Sequence, residues 1–258
     1  MYYSKFFFLF PASHIFAAFF CKNCFNPLDT IKDVIKSLLV YLLLCAAAFL
    51  MLKGIVQYFP MRDDIGFLRF KQSYLHIKIW KIAFYTHVFT SILTLLAGFT
   101  QFSGDVLRTH KKVHRFIGKL YVCAVLFINF PSGMVMAVYA NGGITSKIAF
   151  VILDSLWFWF TLKAFIEIKN KRVIAHKQFM MRSYALTLSA VTLRTWQYIL
   201  SHSFVIDAAI LYKIDAWMGF VPNLIFAEWL IKRSQLRKKA SPANSKGGKQ
   251  LPVEVEVN

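Results

Sequence analysis

Negative charge is scarce in this sequence. Twelve Asp and Glu residues stand against 31 Lys and Arg among 258 residues, a formal net charge of +19, and charged residues of both signs make up only 17%. A soluble domain devotes about a quarter of its residues to charge, so the ordinary soluble classes are excluded. Cysteine is sparse too. Cys45 and Cys123 lie inside hydrophobic stretches, and Cys21 with Cys24 form one isolated C-x-x-C. No second C-x-x-C completes a zinc site. Small residues are lacking where a signal peptidase would need them, since Phe19 and Phe20 precede Cys21. No short-period repeat is present.

What the sequence has instead is 57% hydrophobic residues and a mean hydropathy of +0.51. They fall into blocks at about 36–58, 80–102, 117–139, 147–168, 180–201 and 208–231. Blocks of about 20 residues cross roughly 30 Å of hydrocarbon at 1.5 Å per residue. The expectation is an all-α integral membrane bundle of about six transmembrane helices, with the lipid bilayer as its partner. Residues 1–33 read as an interfacial segment or a mis-assigned start, 34–231 as the bundle, and 232–258 as a disordered basic tail. The Lys and Arg residues lie between hydrophobic blocks and in the tail, which suits topology signals and anionic-lipid contacts and argues against nucleic acid.

Positive charge also sets an orientation. Arg108, Lys111, Lys112 and Arg115 follow the second block, Lys169, Lys171, Arg172 and Lys177 follow the fourth, and the tail is basic, so these segments belong inside. The connections 141–146 and 201–207 hold no Lys or Arg and belong outside. The first external loop is the exception, because Arg62, Arg69, Lys71 and Lys78 outnumber Asp63 and Asp64. Both termini are expected in the cytoplasm of a bacterium, with the bundle in the plasma membrane.

Ionisable groups in hydrocarbon are costly and mark function or a structural pair. His87, Asp154, Arg194 and Asp215 each fall about seven residues from the outer end of their blocks, roughly 10 Å deep. Equal depth makes them one candidate polar cluster, either a packing pair around Arg194 or a proton-linked or ligand site. A second concentration at the inner side holds His110, His114, Arg115, His176, Lys177, Arg182 and Glu228. His114 and His176 open the third and fifth blocks from the same side. Two imidazoles from different helices, Gly118 for clearance, and Arg115 and Arg182 for propionates would suit a b-type haem. Ordinary interfacial histidines at basic helix ends remain the alternative. Asn129 to Gly133 contains Pro131 and should kink its helix.

The stretch His114 to Tyr121 resembles the H-R-x-x-G-x-x-Y signature of a bacterial membrane-protein family catalogued as a domain of unknown function. His176 to Tyr184, Thr192 to Arg194 and Val221 to Trp229 continue the resemblance in order over roughly 75–230. It implies a polytopic membrane fold and no set activity. The layout is also similar to b-type cytochromes of the cytochrome b561 and ferric-reductase kind, which implies haem between helices. The fourth block departs from the di-haem pattern by having no histidine.

The leading expectation is therefore a haem-binding redox component, with haem b on His114 and His176, Arg115 and Arg182 beside it, and an unknown redox partner. The alternative is a proton-coupled transporter or small-molecule-binding protein using His87, Asp154, Arg194 and Asp215. An intramembrane metal hydrolase and a structural partner of another membrane protein are further readings. The residues leave open whether the chain is an enzyme.

Overall fold

The computed structural model describes residues 27–239. Most of the expected interfacial segment and the chain beyond Lys239 lie outside the described residues. Contacts divide the chain into two compact units, Met1–Tyr139 and Ala140–Asn258.

In the first unit α1 (Pro27–Val56) leads to a 3-10 helix, Gly66–Tyr74, and then α2 (Lys78–Gln101), a short α3 (Gly104–Thr109) and α4 (Lys111–Cys123). A π-helical stretch, Ala124–Asn129, joins α4 to α5 (Phe130–Val138), and the three form one crossing, Lys111–Val138. The kink expected near Pro131 takes this form. Proline has no N–H and its ring clashes with the preceding turn, so the wide turn ends at Asn129 and Pro131 sits in the first turn of α5, where the missing donor costs nothing. Leu38, Leu42, Leu43, Phe49 and Leu50 of α1 are all more than half exposed, a surface suited to lipid rather than water. Between α1 and α2 the buried Tyr58, Leu68, Trp80 and Phe84 form an aromatic core. The Tyr58 hydroxyl accepts the Phe67 N–H at 2.9 Å. On the exposed side Arg62 donates to Asp64 at 2.6 Å, and that hydrogen bond holds the Asp64 carboxyl below its ordinary value.

The second unit runs α6 (Gly143–Lys169), α7 (Val173–Thr187), α8 (Ser189–Ser203), α9 (Ala208–Met218) and α10 (Val221–Lys239). Gly142, at φ +79°, starts α6 from the left-handed region; a Cβ there would strike the Ser146 hydroxyl and lie 3.0 Å from Tyr212 Cδ1. The block expected as one helix over 180–201 is two helices meeting at Leu188. Thr187, Ser189 and Thr192 turn their hydroxyls onto the carbonyls of Ser183, Leu186 and Leu188, and such back-bonding competes with regular helix. α10 carries helix into the stretch expected to be tail, since residues 232–239 contain no Gly or Pro. Their Lys and Arg side chains also suit a helix C-terminus.

Among the described residues four stretches are long and apolar enough to cross a membrane: Lys78–Gln101, Lys111–Val138, Gly143–Lys169 and Ala208–Leu236. Tyr41–Val56 is a shorter apolar helix. No strand occurs among the described residues, so the fold is all-α with several membrane-crossing helices.

Candidate functional site

The buried stripe of α6 carries Ser146, Ala149, Asp154, Trp157, Thr161 and Ala164. At 100° per residue these positions fall on one helix face. α7 packs on that face in the antiparallel sense that a short turn at Asn170–Arg172 imposes. His176 Nδ1 lies 2.8 Å from the Ala164 carbonyl oxygen, and Thr161 Oγ1 lies 2.7 Å from Ser183 Oγ. Small residues at Ala164 and Ala185, both buried, permit the close approach.

Asp154 is 6% exposed and Asp215 on α9 is 3% exposed. Asp154 Oδ2, Asp215 Oδ1 and Ser146 Oγ are buried without a hydrogen-bond partner among the described residues. Arg194 is exposed, with Nη1 donating to Ala190 O at 2.8 Å, so it does not bond either of those carboxylate oxygens. Gly142 abuts Tyr212 and Lys213, which lie within a turn of Asp215, whereas Asp154 is three turns along α6 from Gly142. Because α6 and α9 run the same way, Asp154 sits deeper than Asp215 by on the order of 10 Å. Spacing suggested equal depth because it started the helix at Lys147; the structure starts it at Gly143.

The inner-side candidates divide between the units. In the second, the Nδ1–H of His176 donates to a backbone carbonyl, which fixes the tautomer and leaves Nε2 as the lone-pair nitrogen. Arg182 is committed elsewhere: Nη2 donates to Glu228 Oε2 at 2.9 Å, Nε donates to Oε1, and the guanidinium lies over the Phe160 and Phe179 rings. In the first unit Arg115 is exposed and His114 half-buried. The clearance beside Gly118 is taken by Gln101, whose Oε1 would lie 3.0 Å from a Cβ there and whose Nε2 donates to His114 O at 3.1 Å. Among the described residues no three His, Cys, Asp or Glu side chains converge as a metal site would need.

His87 stands in the first unit with Nδ1 3.2 Å from Asn129 O and 3.3 Å from Ser132 Oγ, while Thr90 Oγ1 bonds Asn129 Oδ1 at 2.8 Å. Asn129 at the end of the π-helical stretch and Ser132 of α5 thus supply partners that spacing did not anticipate. A backbone carbonyl leaves no trace in residue identity, but the Asn-Phe-Pro-Ser motif was a visible signal. Thr161 and Ser183 were missed as well; the Ser146, Asp154, Thr161 periodicity was the sign available.

The profile of a family described as predicted membrane protein DUF2306 matches residues 84–231, more than half of the chain. The chain belongs to the DUF2306 family. DUF2306 has no assigned function, and its match spans α2 from Phe84 through Ile231 of α10, including every candidate residue above. Neither a curated protein nor a solved structure gives a significant match.

Proposed function

We propose that this DUF2306 member is a proton-coupled transporter of a bacterial plasma membrane, with both termini cytoplasmic and Asp154 as the group that takes up and releases the proton. One observation carries the reading: a carboxyl group 6% exposed, in the middle of a membrane-crossing helix, has no described hydrogen-bond or charge partner. An isolated charge in such a place costs several kcal/mol, about 2.5 or more even on lenient scales, so its carboxyl needs a proton or a passing cation. Asp215, closer to the start of α9, is the second group of the same kind. The distribution of Lys and Arg supports the orientation.

The test uses full-length protein in liposomes loaded with a pH-sensitive dye, under an imposed proton gradient. Asp154→Asn should lower protein-dependent proton flux at least about tenfold while leaving the detergent melting temperature near that of the parent. Parental flux in a folded Asp154→Asn protein would overturn the proposal.

A haem-binding reading keeps one favourable observation, the tautomer of His176, which presents Nε2 as a metal ligand does. The surroundings fit haem b only in part, because Gln101 fills the space by Gly118 and Glu228 holds Arg182. A Soret band in protein expressed with haem supplied, lost in His114→Ala and in His176→Ala, would favour haem over the transporter reading.

A further inference from the structure

We infer that the seam between α6 and α7 is the path by which a proton leaves Asp154, with Thr161 and Ser183 as its hydroxyl relay and His176 as the group that hands the proton to water. This rests on the role given to Asp154 above.

The geometry of the seam is specific. Thr161 and Ser183 are completely buried, come from facing helices, and touch oxygen to oxygen at 2.7 Å. Thr161 also donates to Trp157 O at 2.7 Å. A hydroxyl that both accepts and donates is the minimal unit of a proton wire. The antiparallel register that sets Ala164 against His176 and Thr161 against Ser183 brings Asp154 level with residues 186–190 of the facing segment, where Thr187 and Ser189 are buried hydroxyls. Polar groups therefore recur about every two turns from Asp154 to the half-buried ring of His176.

At the end of the seam the Nε2 of His176 has no partner among the described residues, and Nδ1–H stays on Ala164 O throughout. The charged groups of the elements packed here are Arg172 of the turn, which pairs with Glu167 of α6 at 3.6 Å, Lys177 on α7 next in sequence to His176, Lys163 of α6, which lies over the Trp159 ring, and Arg182, held by Glu228 of α10. In the transfer the O–H bond of Asp154 breaks. Each hydroxyl accepts one proton and passes on its own, with water closing the gaps between them, and a new N–H forms at Nε2. The imidazolium then releases that proton to bulk water, and Asp154 is left as a carboxylate to be reprotonated from the other side.

Liposome flux and infrared difference spectra of the carboxyl band, assigned by its loss in Asp154→Asn, decide the matter together. Thr161→Val/Ser183→Ala and His176→Gln should each lower flux at least about tenfold while the Asp154 carboxyl band still titrates. Free imidazole should restore His176→Gln. Parental flux in the hydroxyl-free pair or in His176→Gln, with Asp154→Asn silent, would overturn the relay and leave the role of Asp154 standing. Parental flux in Asp154→Asn would overturn both. A loss that imidazole does not rescue and that tracks a lowered melting temperature would make the seam a structural staple. If the double variant does not fold, His176→Gln with and without imidazole decides between relay and staple.

Discussion

Lys71 is a charge kept dry outside the crossing helices. It is 2% exposed, donates from Nζ to the carbonyl oxygen of Tyr139 at the end of α5, and lies 5.0 Å from the centre of the Tyr74 ring and 5.6 Å from that of Phe67. A cation at a helix C-terminus is stabilised by the aligned peptide dipoles, and the two rings add cation–π attraction as water is excluded. Lys71→Met keeps the length of the stem but removes the donor and the charge. It should destabilise the first unit by about 1–3 kcal/mol, read as a lower midpoint in detergent thermal unfolding. Lys71 appeared in the sequence as a blemish in a charge rule, one positive residue too many in an external loop. Its burial against Tyr139 depends on a contact between residues 68 positions apart, which no local pattern displays.

Among the elements, the joint at Leu188 is held from outside by Asn223 of α10. Its Nδ2 donates to Ala185 O at 3.1 Å, on the α7 side, and to Thr192 Oγ1 at 3.0 Å, on the α8 side. Asn223→Ala should therefore loosen both helices at once, costing about 1–3 kcal/mol. Amide hydrogen exchange should quicken at residues 185–192 more than in α6. The crossing helices themselves were legible because a run of about 20 apolar residues has few other stable uses. The joint was not, because Leu186, Leu188, Val191 and Leu193 keep the run apolar while the hydroxyls that break it are satisfied by nearby carbonyls. Asp154 was legible as a group out of place; its lack of a hydrogen-bond partner among the described residues was not, since Arg194 stood at a plausible spacing and only the structure turns that side chain onto Ala190 O.

For the molecule as a whole, the orientation proposed above has a direct consequence. Tags in the Gly142–Gly143 turn and in the 201–207 connection should report the same compartment as each other and the opposite one from a tag after Lys239, by accessibility to a membrane-impermeant thiol reagent. A shared compartment for all three would break the alternation of crossings on which the arrangement rests. The joined α7 and α8 carry one more implication. A rigid rod conveys a push at one end to the other, whereas a jointed one absorbs it at the elbow. His176 and Arg194 lie on opposite sides of that elbow, so a movement that tilts one need not disturb the other.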